Sequence, residues 1–168
     1  VSGAYGIAIT TFAGQNYGAG LYSRVRKSVH VCLAMCAGTA VAMSVLMVSC
    51  SGIFLRMFTQ DAAVLEIGTV MVRNMMPYYV TFVCIEILSG ALRGVGDCWR
   101  PMIISLLGVC VLRVGWILIA VPLKRDIYTI MFSYPLTWVT TTMLFVIYYL
   151  FFGKLKIEKA GKKEAAGE

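Results

Sequence analysis

The sequence predicts an all-α, polytopic bundle of membrane-spanning helices. Three observations carry that expectation. The first is composition: of 168 residues, 60% are hydrophobic and 14% charged, with a mean hydropathy of +0.81, against roughly 45–50% apolar and about 25% charged in soluble domains. The second is a set of four apolar runs, 29–54, 67–92, 101–123 and 127–152, each long enough to cross a bilayer, which takes about 20 helical residues. The third is where the charge falls. Assigning the connections to alternate sides puts Arg24, Arg26, Lys27, Arg93, Arg100 and the five tail lysines (154, 156, 159, 162, 163) on one side, and Arg56, Lys124 and Arg125 on the other. That ten-to-three asymmetry satisfies the positive-inside rule. It predicts a multi-pass protein of the cell (plasma) membrane with a cytoplasmic C-terminus. The net charge of +7 therefore reports orientation in a lipid bilayer and not a nucleic-acid-binding face.

The elements follow in order. Residues 1–13 are apolar or small but too few to span alone, so the chain reads as starting partway through a helix and as a piece of a longer protein. Gly14-Gln15-Asn16-Tyr17-Gly18-Ala19-Gly20 is expected to break that helix and turn into a basic connection. It lacks the Lys-Ser/Thr ending and the preceding strand of a phosphate loop. The run 29–54 has two stripes of small residues at four-residue spacing, Ala34/Gly38/Ala42 and Cys36/Ala40/Ser44, which lets helix backbones approach in lipid. Thr59-Gln60-Asp61 supplies an N-cap region for the run 67–92, where Pro77 should kink the helix. Pro101 opens the run 101–123, where the first turn tolerates it best. The run 127–152 is expected to be broken by Pro135. Residues 153–168 form a basic, solvated tail.

The polar residues inside these runs are the candidate chemistry. An intramembrane ionisable group is costly and is a functional hypothesis by default. Glu86 is the carboxylate of the run 67–92. At 100° per residue, Met75, Tyr79, Phe82, Ser89, Gly90 and Arg93 share its face, which therefore offers an acid, two aromatic rings and a thioether. Such a face suits an organic cation, through charge and cation–π attraction. It also suits a carboxyl that takes up and releases a proton. A second reading makes Glu86 the structural partner of Arg113; helix rise places the two roughly 10 and 20 Å from the same turn. Arg93, Asp97 and Arg100 flank that turn and either close a gate or fix topology. The six cysteines form no CxxC pair and His30 is the single histidine, so no metal-ligand spacing exists. No nucleophile–base pair is visible either, which argues against an enzyme.

Two motifs together, Gly14–Gly20 before a basic connection and Ala91-Leu92-Arg93-Gly94-Val95-Gly96-Asp97 before a Pro-led span carrying Arg113, resemble the multidrug and toxic compound extrusion (MATE) transporters. The resemblance covers the chain up to Phe152 and implies one bundle, the C-terminal one, of a twelve-helix protein built from two six-helix bundles. The missing N-terminal bundle would be its principal partner. The implied activity is export of small organic cations or drugs, driven by a proton or Na⁺ entering in exchange, with no other cofactor. Glu86, Tyr79, Phe82 and Met75 would serve ion coupling and substrate; Arg93, Asp97, Arg113, Gly14, Gln15, Asn16 and Gly18 would be structural or gating residues. The sequence departs from the family at one place: where members carry an acid, Phe82 stands, and Glu86 lies one turn nearer the cytoplasmic end. Other expectations are a lipid-linked saccharide flippase of the same superfamily, which needs more cations to hold pyrophosphate, and a non-transporting membrane scaffold, which needs no intramembrane acid.

Overall fold

In a computed structural model, residues 2–153 are described, and nearly all of them are helical. Four helical stretches are long and apolar enough to cross a membrane: Tyr22–Ser49, Ala62–Gly94, Trp99–Leu123 and Ile127–Gly153. They are preceded by α1 (Ser2–Gly18). The first is α2 (Tyr22–Ser49), which bends at Cys50 into the short α3 (Ser51–Arg56). The second comprises α4 (Ala62–Met75), a 3-10 turn at Met76–Tyr78 and α5 (Tyr79–Gly94). The third comprises α6 (Trp99–Ser105), a π-helical segment (Leu106–Val111) and α7 (Leu112–Leu123). The fourth is α8 (Ile127–Tyr148), which ends in π geometry.

Several boundaries differ from the sequence reading, each for a local reason. α1 does not stop at residue 13. Gly14, Gln15, Asn16 and Gly18 are helical, and the chain turns only at Gly20, whose φ is +74°. The connection is therefore short, and Arg24, Arg26 and Lys27 lie on the opening turns of α2. Asp61 caps α4 by accepting from the Ala63 N–H at 2.9 Å. Pro77 sits in the 3-10 turn, and Ser44 on α2 braces that break by donating to the Met76 carbonyl at 3.1 Å. Pro135 does not break α8, which runs through it. The hydroxyls of Ser133 and Thr137 donate to the Ile130 and Tyr134 carbonyls on either side of it, at 2.6 and 3.0 Å. Of the two small-residue stripes on α2, Cys36/Ala40/Ser44 is buried and Ala34/Gly38/Ala42 faces outward. The tail lies outside the described residues from residue 154 onward.

The centre of the fold is the crossing of α1 and α5. A Cβ on Gly90 would stand 2.7 Å from the Gly6 carbonyl, and one on Gly94 would stand 2.5 Å from the Thr10 carbonyl. Gly14 in turn abuts the Gly94 carbonyl. Thr10 Oγ1 donates both to its own helix, at Gly6 (2.8 Å), and across to Gly90 (3.0 Å). Contacts climb together along both helices, so α1 and α5 run parallel. They also end alike. In each, the N–H of the residue after a left-handed glycine reaches back five residues: Leu21 to Asn16 (2.8 Å) and Asp97 to Leu92 (2.9 Å). The glycine N–H closes the inner bond, Gly20 to Tyr17 and Gly96 to Arg93, with φ +86° at Gly96. These are Schellman caps, which place glycine where a Cβ is penalised. The two Gly-x-Gly motifs are thus one device used twice, and they bring both basic connections to the same end of the bundle.

Around this pair, Val83, Ile87, Leu88, Leu92 and Phe145 fill the core. A Cβ on Gly108, in the π-helical segment, would overlap Thr141 Oγ1, so that segment is pressed against α8. Asp97 anchors the turn after α5 by accepting from the Tyr148 hydroxyl, which in turn accepts from Arg100 Nη1 at 2.9 Å.

Gly94→Ala should destabilise the protein by about 1–3 kcal/mol, the usual cost of overpacking, because its new methyl meets backbone. Gly18→Ala meets open space and should stay within about 0.5 kcal/mol of wild type. Thermal unfolding of the purified protein in detergent distinguishes the two; equal melting temperatures would dismiss the glycine contact as a constraint.

Candidate functional site

Membrane helices of this type expose apolar faces to lipid, so a concave face that carries both an acid and a base stands out. One occurs on α5. Phe82, Glu86, Ser89 and Arg93, spaced by three or four residues, line a groove of about 640 Å³ whose far wall includes Pro101 and Ser105 of α6. α5 can present this face because the adjoining flank of the helix is locked against α1 through Gly90 and Gly94.

Glu86 is half-buried at the back of the groove. Its Oε2 lies where a Cβ on Gly6 would be 3.1 Å away, so the carboxylate rests against the α1 backbone at a position that glycine keeps open. Among the described residues, no cation lies within ion-pair distance of it. Arg93, nearer the turn, is exposed and lines the same groove.

Arg113 is elsewhere. Its guanidinium stacks on the Tyr134 ring at 4.1 Å and its Nη2 donates to Thr137 Oγ1 at 2.9 Å, while its Nε is buried without a hydrogen-bond partner. The structural Glu86–Arg113 pair is therefore not formed: the arginine faces α8, not α5. An aromatic cluster links the two regions. Phe82 and Tyr79 both pack on Trp138 (5.7 and 6.1 Å between centroids), and Trp138 packs on Tyr134 at 6.0 Å.

The remaining residues singled out in the sequence divide clearly. Tyr79 touches Phe82 (5.7 Å) but borders a separate recess with Cys36 and Val83, and its hydroxyl lies 3.2 Å from Ser2 Oγ. Met75 is not on the Glu86 face; it lines a smaller recess with Asn74, Tyr78 and Met131. The helical wheel fails there because the intervening 3-10 turn advances about 120° per residue, not 100°. Asp97 is 8% exposed and bonded to Tyr148, with Arg100 at 3.6 Å, which is an anchoring role. Asn16 is buried, with its amide donating to the Phe12 carbonyl at 2.8 Å. Gly14 packs on Gly94, while Gln15 and Gly18 are exposed. Gly6, Thr10, Tyr134, Thr137 and Trp138 were not anticipated. The spacing of Gly6, Thr10 and Gly14 at four residues was the available signal for α1, and Tyr134/Trp138 at four residues was the one for α8. Among the described residues, no three His, Cys, Asp or Glu side chains gather closely enough to hold a metal ion.

Comparison with known proteins agrees with this geometry. No curated protein gives a significant match to the chain. The family model MatE matches residues 2–119, a stretch that holds α1, both Schellman-capped Gly-x-Gly ends and both walls of the Glu86 groove. The match covers well over half of the chain, and the chain belongs to the MatE family of membrane transporters.

Proposed function

We propose that this chain forms one bundle of a cation-coupled antiporter that exports organic cations across the plasma membrane, with Glu86 as the group at which coupling ion and cargo exchange. The observation that carries the reading is the Glu86 carboxylate itself: at membrane depth, on an open groove beside Phe82, with no cation paired to it among the described residues. A proton or Na⁺ neutralises the carboxylate in one half of the cycle. An organic cation, with Phe82 offering its ring face, replaces it in the other. Exclusive occupancy of one site is sufficient to couple opposite movements. The groove is open, and alternating access between two bundles is the means by which such a site would change sides.

The position of Arg113 weighs against a flippase. Its guanidinium is engaged by Tyr134 and Thr137 and does not line the groove, so a pyrophosphate would find Arg93 beside an acid. Orientation follows from the parallel run of α1 and α5, which gathers Arg24, Lys27, Arg93 and Arg100 at one end. That end is assigned to the cytoplasm by the positive-inside rule, together with the tail.

In vesicles reconstituted with the full-length protein, Glu86→Gln should abolish ion-driven efflux of an ethidium-like cation, a loss of about a hundredfold or more for a positioned ionisable group. Insertion should be retained, since the amide is less costly to bury than a charge. Wild-type efflux by that variant would move the coupling site to another part of the protein. A second test addresses topology. With the six native cysteines replaced by serine, a cysteine introduced by Lys159→Cys should react with impermeant thiol reagents only in inside-out vesicles. Labelling in intact cells would reverse the orientation.

A further inference from the structure

A second concavity lies on the other side of α1, away from Glu86. It is a groove of about 490 Å³ between α1 and α2, walled by Ile9 and Phe12 on one side and by Val31 and Met35 on the other. Phe12, Val31 and Met35 are 46%, 49% and 56% exposed. Arg24 and Lys27 stand at one end of the groove and contribute to its lining. Positions 24, 27, 31 and 35 are three or four residues apart, so the two cations and the two apolar walls form a single stripe on α2.

The stripe has a direction. Its charged end is at the start of α2, beside the Schellman turn of α1, where the basic connections gather. From Lys27 to Met35 the helix descends roughly 12 Å toward the membrane interior. Among the described residues, no carboxylate lies within ion-pair distance of Arg24 or Lys27; Asp97, at the same end of the bundle, is already bonded to Tyr148 and Arg100. A groove that is cationic at the interface and apolar below it has the polarity of a lipid with a negative headgroup. A free anion leaves the apolar walls unoccupied, and a zwitterionic lipid brings its own ammonium to a site that already holds two cations.

We infer that the α1–α2 groove is a binding site for an anionic phospholipid, with Arg24 and Lys27 on its phosphate and Phe12, Val31 and Met35 along one acyl chain. The site is independent of the exchange reaction at Glu86 and rests only on the membrane-spanning placement of these helices.

The test uses the intact protein in nanodiscs of phosphatidylcholine that carry a minor fraction of a photoactivatable lipid. The probe is either phosphatidylglycerol or phosphatidylcholine with the same diazirine-bearing acyl chain. After illumination, cross-linked peptides are mapped. The phosphatidylglycerol probe should label the segment around Val31 and Met35 on the order of tenfold more than the phosphatidylcholine probe, the preference expected of two basic side chains at a surface. The difference should shrink as salt is raised. Arg24→Gln with Lys27→Gln should remove the preference, and Arg24→Lys should keep it. Ala8→Phe, which adds bulk to the groove without touching charge, should reduce labelling by both probes. Equal labelling by the two lipids in the wild type would overturn the proposal. So would a preference that survives the double substitution, labelling unchanged by Ala8→Phe, or a disulfide trapped between Val31→Cys and another protein helix in place of lipid labelling.

Discussion

The contact on which the rest of this structure depends is the backbone-to-backbone approach of α1 and α5. Inside a bilayer, apolar side chains gain little by leaving lipid for protein, so helices associate through close van der Waals packing and hydrogen bonds. Gly6, Gly14, Gly90 and Gly94 supply the first, and the Thr10 hydroxyl shared between Gly6 and Gly90 supplies the second. A side chain larger than hydrogen at Gly90 or Gly94 would push α1 off α5. α5 also carries Val83, Ile87, Leu88 and Leu92 into the core against α2 and α8. Its rotation about its own axis is therefore set by this one crossing.

That rotation decides where Glu86 looks. With Gly90 turned into α1, the residues at 82, 86, 89 and 93 are turned toward the groove, and the carboxylate is left against the glycine at position 6. The same two Gly-x-Gly ends serve both purposes. The first glycine of the α5 motif, Gly94, permits the close approach, and the second, Gly96, takes the left-handed turn that releases the chain into α6. On α1 the division differs: Gly14 makes the close approach and Gly20 makes the turn, while Gly18 meets nothing. The motif is thus a helix end with a packing surface built into it.

Much of this was legible from spacing alone. Four apolar runs became four spanning stretches, and the acid, the ring of Phe82 and Arg93 fell on one face because α5 is a regular helix between Tyr79 and Gly94. What was not legible lies where regularity fails or where two distant segments meet. Met75 left the face because a 3-10 turn intervenes. The end of α1 was placed too early because glycines inside a membrane helix read as breakers until a partner helix is seen against them. Of two equivalent small-residue stripes on α2, periodicity has no means of choosing the buried one; on Cys36/Ala40/Ser44, Ser44 bonds the Met76 carbonyl at the 3-10 turn. The partner of Arg113 was misassigned because depth along the helix axis says nothing about azimuth.

Arg113 also shows why Glu86 is left without a structural counter-charge. An arginine at mid-membrane costs about 2.5–3.5 kcal/mol by insertion measurements. A desolvated cation–π contact returns about 2 kcal/mol, and a hydrogen bond from a charged donor about 1.5–3 kcal/mol. Tyr134 and Thr137 together therefore offset much of that cost without any carboxylate, while Nε stays buried and unpartnered. The π-helical segment before α7 helps set this arrangement. It packs Gly108 onto Thr141, seats the helix directly on α8, and delivers Arg113 to the Tyr134 ring. With the guanidinium held against neutral groups on α8, no permanent pair between Arg113 and Glu86 forms in the described bundle.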